Sequence, residues 1–259
     1  MTYAPVPGGF VRYDLRGPPG APAVVLCGSL GSDLGMWDQQ IPALARRHRV
    51  LRYDCRGHGA STVTPRPYTI DRLARDVLAL LDGMDIARAS VCGLSMGGQV
   101  GLWLGIYAAE RVERLVLANT GAQIGSREGW DARIAAVQRG GVAAVADGIL
   151  DRWLSEPYRS AHPDQVAWLR GMLLRTPAAG YAACCAAVRD CDLRGAAAEV
   201  RAPTLVVAGA LDAATPPAEA RALAGRIRGA SYLELPAAHL SNVESAERFT
   251  AALLQHLDA

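Results

Sequence analysis

The chain has 259 residues, of which 51% are hydrophobic and 20% are charged. This length and composition exclude a disordered chain and are sufficient for one large globular domain that needs no disulfide or metal to fold. The formal net charge of +2 comes without any run of like charges, which argues against nucleic acid as a partner.

The N-terminal residues and the cysteines indicate a cellular compartment. Residues 1–9 lack a charged start followed by an apolar run, so no secretory signal peptide is predicted. The six cysteines form no CxxC pair, which favours small core residues in a reducing compartment. The uncharged stretch 89–109 is long enough for a membrane span, but its five glycines indicate a buried strand, turn and helix. We therefore expect a cytoplasmic protein without a membrane partner.

Apolar runs and turn residues alternate along most of the chain. Strands are predicted at 23–27, 49–53, 88–92, 114–118, 204–208 and 231–235. Between them apolar residues repeat at helical spacing, most clearly over 70–81 after Thr69, which can cap the helix. This alternation predicts an α/β fold with a mostly parallel central sheet flanked by helices.

The alternation stops after Thr120. Residues 121–194 contain no strand-like run, and their pattern is helical with several glycine and proline breaks. We predict that this segment is a helical cap, or lid, inserted between strands six and seven of the sheet. The core domain then consists of residues 1–120 and 195–259.

The strongest chemical signal is the sequence Gly93-Leu94-Ser95-Met96-Gly97, a GxSxG motif that follows a predicted strand and opens a predicted helix. A nucleophile at such a strand-to-helix turn needs small neighbours, because larger side chains would clash with the sheet or the helix. The motif in this context predicts Ser95 as a nucleophile.

A serine nucleophile requires a histidine base, which in turn requires an orienting carboxylate. The five histidines are at positions 48, 58, 162, 239 and 256. Only His239 follows the last predicted strand in a loop before the terminal helix. Asp212 follows the strand 204–208, at the edge of the sheet where open α/β sheets place their sites. It could also cap a helix before Pro216. The order serine, acid, histidine predicts Ser95, Asp212 and His239 as a triad.

Backbone N–H groups must stabilise the negative charge of the tetrahedral intermediate. The first predicted donor is Met96, which follows the nucleophile at a helix N-terminus. The second is expected in the loop after the strand 23–27, with Ser29 as the first choice and Leu30 as the next. The same loop could also be an ordinary glycine-rich turn.

Other motifs are absent or point to a structural role. The loop 54–61 is polar and glycine-rich, but the chain has no GxxxxGK[ST], no dinucleotide-type GxGxxG and no HExxH. No cluster of acids and histidines suggests a catalytic metal. We expect this loop to be structural and the reaction to need no cofactor and no metal.

The elbow GLSMGG, the loop DCRGHGAS and the order of the triad residues resemble the α/β-hydrolase superfamily over nearly the whole chain. Three stretches are similar to the 3-oxoadipate enol-lactonases of bacterial aromatic degradation: SLGSDLGMWD from Ser29, GYAACCAAVRDCDLR from Gly180, and AGALDAATPP from Ala208 with AAHLSNVE from Ala237. One departure lies in the oxyanion loop, where Cys27-Gly28 replaces the His-Gly that the superfamily often has.

The resemblance implies hydrolysis of 3-oxoadipate enol-lactone to 3-oxoadipate in the β-ketoadipate pathway, through an acyl-enzyme. The substrate is a small anionic lactone, and its carboxylate needs a cationic partner, which we expect in the cap. Arg133 is the candidate, with Trp130 and Trp153 lining the pocket. The cap also holds Arg127, Arg139, Arg152, Arg159, Arg170, Arg175 and Arg189, and most of these are expected to be solvated surface charges.

Two other functions are compatible with the residues. Because cap residues and not the fold set the substrate, the chain could be another serine carboxylesterase or a carbon–carbon bond hydrolase. It could also be a ligand-sensing protein that keeps a slow triad. Relatives with an aspartate nucleophile are disfavoured because position 95 is serine. The sequence carries no indication of oligomeric state.

Overall fold

The computed structural model describes all 259 residues. Its strands are β1 (Thr2–Val6), β2 (Gly9–Arg16), β3 (Ala23–Cys27), β4 (Arg49–Tyr53), β5 (Ala89–Leu94), β6 (Val112–Ala118), β7 (Thr204–Gly209) and β8 (Ser231–Leu235). They form one sheet in the order β1-β2-β4-β3-β5-β6-β7-β8. The pairs β1–β2 and β2–β4 are antiparallel and all other pairs are parallel. The predicted mostly parallel sheet is confirmed.

Eleven α-helices accompany the sheet. They are α1 (Ile41–Leu44), α2 (Ile70–Asp82), α3 (Met96–Tyr107), α4 (Arg127–Gly140), α5 (Ala146–Trp153), α6 (Glu156–Ala161), α7 (Pro163–Leu174), α8 (Ala178–Arg189), α9 (Pro217–Arg226), α10 (Ser241–Glu244) and α11 (Ala246–Asp258). Helix α2 begins at the predicted cap, where Thr69 Oγ1 accepts a hydrogen bond from Arg72 N–H at 3.1 Å. No helix combines the length and apolar character needed to cross a membrane.

The centre of the sheet is buried on both faces. Every residue of β3, β5 and β7 is buried, as expected for parallel strands that helices cover on each side. This burial explains why these strands appear in the sequence as continuous apolar runs. All six cysteines are free and buried, so their interpretation as core residues is confirmed.

The N-terminal hairpin of β1 and β2 is the part of the sheet that the sequence does not predict. In β1 only Ala4 and Val6 are buried, and Pro5 stands between them. Proline is tolerated there because β1 is an edge strand, where its missing N–H need not pair. The hairpin therefore lacks the apolar run that marks the central strands.

Helices α4 to α8 lie between β6 and β7, within the segment predicted as a cap. They contact the core at the loops that follow β3, β4 and β8. Gly31, at φ +86°, lies so close to the cap that a Cβ there would be 2.6 Å from Leu173 Cδ1. Leu240 N–H donates a hydrogen bond to Trp153 O at 2.8 Å. The cap thus packs over the C-terminal edge of the sheet.

Candidate active site

Ser95 lies in the turn between β5 and α3. Its dihedral angles, φ 59° and ψ −117°, lie outside the regions that residues other than glycine usually occupy. Such a conformation costs about 1–3 kcal/mol and persists only where surrounding contacts hold it. Ser95 N–H donates to Ala118 O at 2.9 Å, and Ser95 O accepts from Thr120 Oγ1 at 2.8 Å. These bonds fix the turn and leave the Ser95 hydroxyl facing a cavity.

Glycines flank Ser95 because backbone packs directly against the turn. A Cβ on Gly93 would lie 2.0 Å from Gly97 O, and a Cβ on Gly97 would lie 2.1 Å from Cys27 O. No side chain fits at either distance. The second contact brings the start of α3 against the end of β3, so the loop that follows Cys27 lies beside Ser95.

Asp212 and His239 lie in the loops that follow β7 and β8. His239 Nδ1 is 2.8 Å from Asp212 Oδ2, and the two side chains are only 4% and 0% exposed. His239 and Ser95 line the same cavity. The structure therefore brings the three side chains of the predicted triad to one edge of the sheet.

Five hydrogen bonds hold the Asp212 carboxylate. Oδ1 accepts from the N–H groups of Ala214 and Thr215, and Oδ2 accepts from Asn119 Nδ2, Thr215 Oγ1 and His239 Nδ1. Burial alone would raise the pKa of this carboxyl, but His239 and the other donors outweigh burial and lower the pKa to about 2. Asp212 is therefore ionised at neutral pH and can stabilise a positive charge on His239.

Asn119 belongs to this site, although the sequence analysis does not single it out. It directly follows β6, has φ 45°, and its Nδ2 donates to Asp212 Oδ2 at 3.0 Å and to Ala238 O at 3.2 Å. Its Oδ1 accepts from Ser241 Oγ. The amide thus connects the end of β6 to the loops of the acid and the histidine. A polar residue directly after a buried strand is the signal that could have indicated it.

The predicted oxyanion donors differ in their surroundings. Met96 N–H is the first of helix α3 and has no backbone acceptor, as is usual in the first turn of a helix. Ser29 N–H donates to Met36 Sδ at 3.2 Å, whereas Leu30 N–H has no acceptor in the protein. Of the predicted donors, Met96 and Leu30 are therefore those whose N–H groups have no acceptor in the protein.

A cavity of about 540 Å³ lies between the sheet edge and the cap. Ser95 and His239 line it from the sheet, and Trp130 and Trp153 line it from the cap, where the sequence places them. Trp130 is held in place because its Nε1 donates to Ile124 O at 2.6 Å. Cavities of this size accommodate small molecules.

Two cap arginines, Arg133 and Arg152, also line the cavity. The salt bridges of the cap involve its other arginines, so neither of these two has a carboxylate partner. The Arg133 guanidinium lies 4.6 Å from the centre of the Trp130 ring. Burial and then the nearby charge of Arg133 lower the pKa of Arg152. Arg152 is thus not a solvated arginine, and the pair favours an anionic ligand.

Cys55, His58 and Cys184 are the residues whose donor atoms could hold a metal ion, since these atoms lie within 4.8 Å of one another. His58 Nε2 accepts from Gly31 N–H at 2.9 Å, and burial lowers the pKa of His58 to about 4. The neutral ring therefore carries its proton on Nδ1, the nitrogen nearer Cys184. A metal at Nδ1 would move that proton to Nε2, against the Gly31 N–H. The arrangement fits a structural histidine and does not fit a metal ligand.

Comparison with known proteins gives consistent matches over the whole chain. A family model described as the alpha/beta hydrolase fold matches residues 22–246. The 3-oxoadipate enol-lactonase 2 of Acinetobacter baylyi is 39% identical over 94% of this chain and 91% of its own. The crystal structure of the enol-lactonase from Burkholderia xenovorans LB400 has 44% identity and a TM-score of 0.99, with 100% of both chains covered. An esterase from Thermogutta terrifontis has 29% identity and a TM-score of 0.92, covering 100% and 97%.

Proposed function

The chain belongs to the α/β-hydrolase family and, within it, to the 3-oxoadipate enol-lactonases, and we propose that it hydrolyses 3-oxoadipate enol-lactone to 3-oxoadipate through an acyl-enzyme. One observation carries the proposal beyond family membership. Ser95 and His239 share a cavity with two arginines that have no carboxylate partner. The cavity therefore contains both a nucleophile for the lactone carbonyl and two cationic side chains for the substrate carboxylate.

The mechanism begins with attack of Ser95 Oγ on the lactone carbonyl carbon, while His239 Nε2 accepts the hydroxyl proton. Asp212, bonded to Nδ1, stabilises the imidazolium. Collapse of the tetrahedral intermediate breaks the ring C–O bond, and the leaving enol oxygen takes the proton from His239. The enol then tautomerises to a ketone. Water, deprotonated by His239, attacks the acyl group and releases the carboxylic acid and Ser95.

We propose that Arg133 and Arg152 bind the substrate carboxylate. A carboxylate leaving water needs a charged or hydrogen-bonding partner, and these guanidinium groups supply it without a competing acid. Trp130 and Trp153 would pack on the carbon skeleton. Arg133 is held over the Trp130 ring, so its position is fixed before the ligand arrives.

Replacing Arg133 with alanine is expected to raise the KM for the lactone by about 10- to 100-fold, since a hydrogen bond to a charged group contributes about 1.5–3 kcal/mol. The KM for a small neutral ester should change little, because that substrate has no carboxylate. Steady-state kinetics with both substrates measures the difference. Arg139→Ala is the matched control, since Arg139 lies on the same helix but is exposed. Equal increases of KM for both substrates would contradict a role for Arg133 in carboxylate binding.

The proposed function is tested with freshly generated 3-oxoadipate enol-lactone, whose loss is followed by ultraviolet absorbance. We expect kcat/KM for the lactone to exceed that for a neutral aryl ester by at least about tenfold, the effect of a single charged contact. Survival of the lactone together with cleavage of the ester would refute the lactonase assignment and favour a carboxylesterase.

A further inference from the structure

Ser29 has a hydroxyl that no other group of the protein uses. Its backbone N–H donates to Met36 Sδ at 3.2 Å, and its carbonyl oxygen accepts from Ser32 Oγ at 2.7 Å. Both backbone polar groups of Ser29 are therefore occupied. Its side-chain Oγ makes no hydrogen bond within the protein, although Ser29 lines the same cavity as Ser95 and His239.

The Ser29 hydroxyl is open only to the cavity. Ser29 is 2% exposed, yet its Oγ is not one of the fully enclosed polar atoms that lack a partner. Without a partner in the protein, the hydroxyl can bond only to water or to a ligand inside the cavity. A ligand atom that reaches this part of the cavity therefore meets a free hydrogen-bond donor.

The strand register places Ser29 beside the nucleophile. Cys27 of β3 is paired with Gly93 of β5 in a parallel ladder. Ser29 and Ser95 each lie two residues beyond this pair, at the same edge of the sheet. The close contact of Gly97 with Cys27 O holds the two chain segments together at this point. The carbonyl oxygen of a substrate attacked by Ser95 develops its charge in this region.

We propose that the Ser29 hydroxyl donates a hydrogen bond to the oxyanion of the tetrahedral intermediate, together with the N–H groups of Met96 and Leu30. The proposal rests on the acyl-transfer mechanism described above and adds a side-chain donor to it. No covalent bond to Ser29 forms or breaks, and the hydroxyl keeps its proton throughout. A donor fixed beside the developing charge stabilises the transition state more than the ground state.

Ser29→Ala tests the proposal, because it removes the hydroxyl and retains the backbone N–H groups of the loop. We expect kcat to fall by about 10²-fold, the loss typical of one oxyanion donor. The KM should change by less than about threefold, since the interaction forms only in the transition state. Ser29→Thr, which keeps a hydroxyl, should recover most of the lost kcat. A kcat within about threefold of the wild type in Ser29→Ala would overturn the proposal and assign the second donor to backbone alone.

A binding measurement separates this role from a structural one. A small alkylboronic acid forms a tetrahedral adduct with a serine nucleophile, so Ser29→Ala should weaken its binding by about the same 10²-fold. Binding of the product 3-oxoadipate should not change. Unchanged boronic acid affinity despite a lower kcat would overturn the proposal. The kcat of Ser29→Ala can also be compared with that of the wild type on a small aryl ester. This comparison does not require the lactone to be the substrate, so it distinguishes failure of the Ser29 proposal from failure of the lactonase assignment.

Discussion

Ser95→Ala is expected to lower kcat for the enol-lactone by about 10⁶-fold, the loss seen when a serine nucleophile is removed from a triad. Alanine retains the Cβ and can occupy the same strained turn, in which φ is 59°. The hydrogen bond from its N–H to Ala118 O is also retained. The substitution therefore removes the reacting oxygen and leaves the protein folded, which thermal unfolding should verify.

Ser90→Ala is the matched control for this substitution. Ser90 lies on β5, five residues before Ser95, and is buried, but it does not line the cavity. Its kcat should equal that of the wild type. Pre-steady-state experiments with an excess of an activated ester should show a burst of one product equivalent in Ser90→Ala and none in Ser95→Ala. Activity of Ser95→Ala above about 1% of the wild type would show that another group is the nucleophile.

The parts of the fold that the sequence predicts are those in which burial is uniform. The strands β3, β5 and β7 are buried along their whole length, so hydrophobicity alone marks them. The hairpin of β1 and β2 has mixed exposure, and in β2 only Val11 is buried. Its existence depends on pairing with β4 and not on a local apolar pattern. An apolar run, the signal that marks the central strands, therefore does not indicate it.

The same distinction applies to the site. Ser95, Asp212 and His239 each follow a strand that the sequence predicts, and the GxSxG motif together with the chain order of acid and histidine suggests their chemistry. Asn119 has no such motif, since it acts on a carboxylate 93 residues away. Its place directly after a buried strand suggests a site residue, but its partners follow only from the order of β6, β7 and β8 in the sheet.

The arginines of the cap show a second limit of sequence reasoning. Arg170 is paired with Asp147 and Arg189 with Asp131, whereas Arg152 has no carboxylate partner and lines the cavity. These pairs join residues 23 and 58 positions apart. Composition cannot distinguish an arginine that is neutralised by a distant acid from one that remains free. Only the packing of the cap helices reveals which positive charges face the substrate.

At Ser29 the structure leaves free a different group from the one that the sequence suggests. The sequence suggests its backbone N–H as an oxyanion donor, because the residue follows Gly28 in the loop after β3. In the structure that N–H is bonded to Met36 Sδ, seven residues along the chain. The side chain, which the motif does not specify, is the group without a partner. The position of Met36 therefore leaves the hydroxyl as the group of Ser29 that is free to bond in the cavity.

Asp212→Asn is expected to lower kcat by about 10⁴-fold, with little change in KM, because it fixes the wrong tautomer of the histidine. The Ala214 and Thr215 N–H groups that bond Oδ1 cannot rotate away, so the asparagine oxygen must take that place. The amide NH₂ then occupies the Oδ2 position and donates to His239 Nδ1. The imidazole proton moves to Nε2, where the ring can no longer accept a proton from Ser95.

The donors around the carboxylate favour this tautomer, because the asparagine NH₂ at the Oδ2 position faces one fixed donor, Asn119 Nδ2, while the Thr215 hydroxyl can turn to accept. Turning the amide over would place its NH₂ against two backbone N–H donors and break both hydrogen bonds. Steady-state kinetics of Asp212→Asn should therefore show a low kcat at every pH from about 7.5 to 9, where an imidazole of ordinary pKa is mostly unprotonated. Asp192→Asn, at an exposed carboxylate paired with Arg194, is the matched control and should retain full activity. A kcat for Asp212→Asn within about tenfold of the wild type would mean that the carboxylate does not orient His239, because the tautomer argument requires the larger loss.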